Sequence, residues 1–288
     1  MSNKSYLVLD CDYLCHRAKY AMKDLSTDSI PTGVIYGFLK DIITFTKMFH
    51  TKNIIFCWDS KHSIRQKMYP AYKQNRRDKE KTEEEECYDA VFRKQIKKLR
   101  RIYLPMIGFK NIFIQKGYES DDIIASICYN IFDSYNTIII SADQDLYQLL
   151  TIADVSIYNP QQRKMMTRKT FQKKYNITPD RWTCVKAIAG CTSDNVKGIK
   201  GIGNKTAIAY LKDELKRSNK AFEKIKAFCW NKKLRPFFLT NLEIVSLPLK
   251  GTKIFKIQKD ELSEHGWKIV IKKLGIKSLL EKFPFERK

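Results

Sequence analysis

Several familiar signals are missing from this chain, and each absence removes a class of function. No run of about 18 apolar residues occurs, and the start, MSNKSYLVLDCDYL, carries charge where a signal peptide needs its apolar centre. Neither a membrane span nor a secretory leader is expected, and the expected compartment is the cytoplasm of whatever cell makes the chain. Histidine is scarce: His16, His50, His62 and His265 show no metal spacing, so they read as surface or packing residues. The eight cysteines contain no CxxC pair, which argues against a zinc module and for reduced, mostly buried thiols. Acid is short relative to base, 31 Asp+Glu against 54 Lys+Arg, for a formal charge of +23. That excess exceeds what solubility requires and points to a polyanionic partner, of which nucleic acid is the commonest; a lysine-rich composition from an AT-rich genome is the bland alternative.

What is present has the order of an α/β protein. β-branched or aromatic runs at Tyr6 to Leu9, Asn53 to Trp58, Asn111 to Gln115 and Thr137 to Ile140 alternate with helical periodicity, predicting a mostly parallel central sheet flanked by helices. Asp154 to Tyr158 is a candidate fifth strand. An insertion at about 61–107 ends in a helical stripe of Tyr88, Val91, Phe92, Gln95, Ile96, Leu99, Ile102 and Tyr103, opened by the block Glu83 to Glu86, whose charge suits the helix dipole. The α/β part is expected over residues 1–175. A helical region follows over 176–288, with a helix, glycine hairpin and helix at about 182–215, then a tail with a short strand at Lys268 to Ile271 and a helix near Ser278 to Lys282.

Glycine is also sparse, 11 residues in 288, which makes GCTSDNVKGIKGIGNKTA, Gly190 to Ala207, conspicuous. Glycine-rich turns before helices bind phosphate. A P-loop fails here because Asn204 intrudes before Lys205-Thr206, and a dinucleotide fingerprint fails because Thr206 stands where its third glycine belongs. Both also need a preceding strand, whereas Trp182 to Ala189 reads as a helix.

The few acids are not scattered. Asp10, Asp59, the group Glu119, Asp121 and Asp122, and the pair Asp143 and Asp145 each follow a predicted strand, so in a parallel sheet they share the edge where such folds bind ligands. Any one cluster could cap a helix. Together they would repel and raise one another's pKa values unless cations neutralise them, and carboxylate oxygens suit Mg²⁺ or Mn²⁺. An acidic hole in a basic protein reads as a metal-dependent site for phosphodiester chemistry, with two ions activating water and stabilising the leaving oxygen.

These residues resemble the 5′-nucleases, or flap endonucleases: the stand-alone bacteriophage 5′-3′ exonucleases and the 5′-nuclease domain of bacterial DNA polymerase I. The likeness runs in order through LVLDCDYLCHRA, IFCWDSKHSIRQKMYPAYKQNR, GYESDDIIASI, IIISADQDLYQLL and the glycine run. It implies a PIN-like fold with a helical arch at the insertion and a helix-three-turn-helix element. It implies one metal group at Asp10, Asp59, Glu119, Asp121 and Asp122, another at Asp143, Asp145 and Asp194, and catalytic cations at Lys73 and Arg76. DNA contacts are implied at Arg17, Tyr72, Gly198, Gly201, Gly203, Lys205 and Thr206, with K⁺ on the hairpin carbonyls in several relatives. The implied cofactor is Mg²⁺, with Mn²⁺ as a substitute. Branched or 5′-ended DNA is the implied partner, with RNA–DNA primers as another substrate, a monomeric enzyme and a separate replication polymerase. Cys191 stands where the pattern has an aspartate, so the second ion is expected to bind more weakly or to be Mn²⁺. Two other readings stay open: a catalytically weak branched-DNA-binding protein and a PIN-type ribonuclease.

Overall fold

YLVL, IIFCW and TIII are apolar on both faces, as a strand covered from both sides requires. The computed structural model describes residues 5–22, 25–27, 30–131 and 136–285. Among them, β1 (Ser5–Asp10), β2 (Asn53–Trp58), β3 (Ile112–Ile114), β4 (Asn136–Ile140), β5 (Val155–Asn159) and β6 (Lys164–Met166) form one sheet in the order β3-β2-β1-β4-β5-β6. All neighbours are parallel except β6, which turns back on β5. The expected α/β fold and fifth strand are both present.

Helices cover the two faces. Against one lie α1 (Cys11–Ala21), α2 (Gly33–Met48) and the base of α3 (Glu83–Lys98), burying Leu14, Phe38, Ile42, Phe92 and Trp58. The expected strand at Lys268 to Ile271 is instead part of a helix, Glu264–Lys273, whose Trp267, Val270 and Ile271 join this same core. Its apolar residues fall three and four apart, a helical period that a four-residue β-like run conceals. The helix expected near Ser278 is a single 3₁₀ turn, Lys277–Leu279. On the other face α4 (Ser120–Ile131) packs with α5 (Trp182–Ala189) and α6 (Asn204–Leu211) over Val8, Ile55 and Ile139. Trp182, Val185 and Ile188 therefore share a core with the sheet, and apolar packing is continuous across residue 175.

The insertion's helix begins at Thr82, whose hydroxyl and Glu85 form a reciprocal cap. Phe92, Gln95, Leu99 and Tyr103 are buried as expected, but Ile102 is 43 % exposed. The wider turn of a π-helical segment, Leu99–Tyr103, rotates the stripe and turns Ile102 outward. No helix among the described residues is long and apolar enough to cross a membrane.

Candidate active site

Three parallel strands of the sheet and the start of α4 deliver acids at the carboxyl edge. Asp10 closes β1 and Asp59 follows β2; Glu119 and Asp121 stand at the start of α4; Asp143 and Asp145 follow β4. Asp194 comes from the turn between two short strands, Gly190–Cys191 and Val196–Lys197, that pair antiparallel just after α5. Trp182 Nε1 donates to the Gln144 carbonyl at 2.7 Å, fixing the loop that carries Asp143 and Asp145 to the helix before the hairpin. A narrow cleft results, lined by Tyr72, Glu119, Asp121, Asp145 and Asp194.

The floor of the cleft is held by uncharged donors. Ser120 N donates to Asp59 Oδ1 at 2.7 Å, Ser120 Oγ to Asp10 Oδ1 at 3.2 Å, and Ser141 Oγ to Asp10 Oδ2 at 2.8 Å. Asp12, which the sequence reading overlooked, accepts from Asp59 N at 2.7 Å. Burial, and then the Asp59 charge, pushes the Asp10 carboxyl up to about 7. Burial and neighbouring carboxylates likewise raise Asp12, Asp59 and Asp121 above the ordinary carboxylate range.

The rim carries cations. Lys73 Nζ donates to Glu119 Oε1 at 2.8 Å, and Arg76 reaches Asp194 Oδ1 at 2.8 Å. Burial opposes ionisation of Glu119, but Lys73 and Arg65 outweigh it and hold its pKa low. Lys73 sits in the left-handed region, φ 52°, and its N–H donates to the Asp194 carbonyl, so backbone geometry aims its side chain at the rim. Lys186 pairs with Asp145 at 2.8 Å; burial, then Asp143, still lifts Asp145 to about 6. One ligand atom each from Asp145, Cys191 and Asp194 lies within 4.8 Å of the others.

Three expected residues are placed differently. Asp122 is fully buried and faces Arg65, which grips it through two nitrogens at 2.5 and 2.8 Å, while Leu249 N and Glu119 N donate to its oxygens. Its lone pairs are occupied by the fold, so it is a support for the cleft. Tyr72 is 4 % exposed and its hydroxyl donates to Glu119 at 2.8 Å, so its ring packs in the interior and has no free face for a base. Arg17 pairs with Asp41 in a separate hollow beside Lys40 and Arg163. Arg65 and Lys186 were missed because their partners are set by tertiary packing. Asp12 could have been found, being two residues past Asp10 at the same strand end.

In the glycine run, a Cβ on Gly198 would lie 2.2 Å from the Ala189 carbonyl carbon, so that glycine permits a close approach inside the hairpin. Gly201, at φ 83°, and Gly203 face open space, and Lys205 is exposed at the start of α6. Of the expected hairpin contacts, these three and the half-buried Thr206 are accessible, and Lys197 and Lys200 beside them are exposed as well.

The cleft suits a divalent metal. Asp121 Oδ1 is buried without a hydrogen-bond partner among the described residues, and the floor gathers hard oxygen donors that destabilise one another in the absence of a cation.

The sequence model of the N-terminal, resolvase-like domain of 5′-3′ exonucleases matches residues 5–176. The chain is 30% identical to a 5′-3′ exonuclease of Aquifex aeolicus over 269 residues, 92% of this chain and 87% of that one. It is 29% identical to the thermostable DNA polymerase I of Thermus thermophilus over 290 residues, covering 96% of this chain and 33% of the polymerase, and so spans about a third of that relative's length. A bacteriophage T5 flap endonuclease solved with DNA and metal ions superposes with a TM-score of 0.71 at 23% identity, covering 85% of this chain and 90% of that one.

Proposed function

Because this chain belongs to the 5′-3′ exonuclease family, we propose that it is a structure-specific 5′-nuclease that hydrolyses DNA phosphodiesters at the acidic cleft, with a divalent metal, Mg²⁺ or Mn²⁺, as cofactor. The observation that carries this reading is the convergence of acids from the ends of three parallel strands, from α4 and from the hairpin onto one cleft, rimmed by Lys73 and Arg76. Asp10, Asp59, Asp121, Asp143, Asp145 and Asp194 would hold the metal, with Glu119 at the rim. Bound there, the ion supplies charge neutralisation and activation of water for an in-line displacement. Lys73 and Arg76, held at the rim by Glu119 and Asp194, would meet the phosphate oxygens and stabilise the charge that builds on them. Ser120 and Ser141 keep the Asp10 carboxylate oriented.

The duplex beside the cut is held on its backbone by Gly201, Gly203, Lys205 and Thr206, without base reading, and K⁺ on the hairpin carbonyls would add to that grip. The 5′ end passes under the arch built from α3. Primer and flap removal in replication, alongside a separate polymerase, is the corresponding role.

A labelled 5′-flap substrate tests the reading. The wild-type protein should release a 5′-phosphorylated fragment with Mg²⁺ or Mn²⁺ and none in EDTA, and Asp143→Ala should be inactive in both metals. Tight binding without cleavage in either metal would remove the nuclease reading and leave a branched-DNA-binding protein, an outcome that Lys186 on Asp145 and the thiol at 191 would favour.

A further inference from the structure

Of the four tryptophans, Trp58, Trp182 and Trp267 are fully buried, while Trp230 is 66 % exposed. It ends α7 (Lys220–Trp230), and a short turn joins it to α8 (Arg235–Val245). Every residue from Trp230 to Phe237 is exposed. Phe237 is 64 % exposed, and Leu234 and Leu239 also stand in solvent. The tip is nonetheless well held: Ile225 and Cys229 anchor α7 and Asn241, Ile244 and Val245 anchor α8 in the interior. Isolated exposed apolar residues are ordinary, but two aromatic rings on one rigid turn are not.

Charge surrounds these rings. Lysine or arginine recurs at 216, 217, 220, 224, 226, 232, 233 and 235, against a single acid, Glu223, in that stretch. None of these cations makes an ion pair among the described residues. The Arg235 guanidinium lies 5.5 Å from the centre of the Trp230 ring. Exposed π-faces interleaved with unpaired cations match unpaired bases and their phosphates, because a duplex presents its backbone but hides the base faces.

The tip is mechanically continuous with the cleft. At its far end α8 gives the Ile244 carbonyl to Arg65 Nε and the Val245 carbonyl to Gln148, and Val245 lines the cleft. Midway, Asn241 Nδ2 donates to the Ala187 and Lys197 carbonyls, tying the helix to the glycine hairpin. The eleven residues of α8, about 16 Å of helix, separate the tip from the end that lines the cleft.

We propose that the α7–α8 tip is a second nucleic-acid site, which stacks unpaired bases on Trp230 and Phe237 and takes their phosphates on Lys232, Lys233 and Arg235. It holds a single-stranded portion of the substrate apart from the strand being cut. The proposal rests on the nuclease reading only for the class of ligand, and its test needs no cleavage.

The test is a titration of the full chain with oligothymidylate in EDTA, read by tryptophan emission. Trp230→Phe supplies the background of the three buried rings. The wild-type emission should be quenched, and the Trp230→Phe variant should show no such change. Phe237→Ala, an exposed substitution expected to leave the circular dichroism spectrum unchanged, should weaken the binding roughly tenfold. A fully paired hairpin should quench much less at equal phosphate concentration. Unchanged emission at saturating oligonucleotide would overturn the proposal, as would equal quenching by the paired hairpin or by an acidic peptide. If quenching occurs while flap cleavage in Mg²⁺ and Mn²⁺ does not, the tip site stands and the nuclease reading falls.

Discussion

Asp10, Asp12, Asp59 and Asp121, on the floor of the cleft, have no ion-pair partner among the described residues, whereas Glu119, Asp145 and Asp194 on its rim touch Lys73, Lys186 and Arg76. The floor acids are all pushed upward, Asp10 to about 7, whereas the rim divides: Glu119 is held low by Lys73 and Arg65, while burial still raises Asp194 and lifts Asp145 to about 6. The same functional group thus serves two purposes. Floor carboxylates are a charge the fold leaves uncompensated, which creates a demand for an external cation. Rim carboxylates hold lysine and arginine in readiness at the mouth of the cleft.

Asp122 belongs to neither set, and it gives the largest expected effect. It is enclosed with Arg65, so Asp122→Ala strips a buried guanidinium of its two-nitrogen carboxylate partner and should cost about 3–5 kcal/mol of stability. Denaturant unfolding would show this as a lower midpoint, with the metal requirement of the remaining folded protein unaltered. A change in metal requirement without loss of stability would return Asp122 to the floor. Its neighbour should behave in the opposite way. Asp121→Asn removes a floor charge and should reduce flap cleavage by about 10²–10³-fold, yet leave the metal-free protein no less stable, since one repulsive carboxylate is gone. A Tm lowered as far as that of Asp122→Ala would show that the floor is structural as well.

The pH dependence of the metal-free protein sharpens the contrast further. An unfolded aspartate loses its proton near pH 4, but folded Asp10, pushed up to about 7 by burial and Asp59, keeps it. Between those values the native state binds more protons than the unfolded state, so the Asp10 contribution to stability falls as pH rises from about 4 to 7. In EDTA, Asp10→Asn should therefore gain in Tm relative to wild type at pH 7 more than at pH 5. Adding Mn²⁺ should raise the wild-type Tm most at pH 7, by mass action on the native state. A Tm difference between variant and wild type that is constant with pH would place Asp10 outside the uncompensated set.

Much of this arrangement was legible because it rests on local rules. The two-faced apolar runs fixed the parallel sheet, and the acids that follow each run within a short loop, such as Asp10 directly after Leu9 and Asp143 soon after Ile140, had to share its carboxyl edge. Asp12 obeyed the same rule and was overlooked. The pairing of Arg65 with Asp122 and of Lys186 with Asp145 was not legible, since each joins segments whose approach depends on how helices pack over the sheet. Tyr72 looked like a stacking ring for the same reason: nothing local says that its hydroxyl turns inward to Glu119. The tail was misread where a short apolar run suits strand and helix equally, and only packing against Phe109 and Phe285 decides between them.

Cys191 gives the smallest effect and the finest test of the difference between floor and rim. Its thiol lies near Asp145 and Asp194 and 3.0 Å from Ser193 Oγ, and burial followed by those two acids keeps its pKa above the ordinary thiol value. A neutral thiol adds neither negative charge nor a hard oxygen, so an ion beside it meets Asp145 and Asp194, already engaged by Lys186 and Arg76. Cys191→Asp restores a hard ligand without touching the floor. The Mg²⁺ concentration for half-maximal cleavage should fall roughly tenfold, and any advantage of Mn²⁺ over Mg²⁺ should shrink, while the Asp10-dependent pH profile stays unchanged. Metal titrations of wild type and variant on one flap substrate measure both. An unaltered metal requirement and rate would mean that the rim takes no part in holding an ion, and that the floor alone carries the metal chemistry.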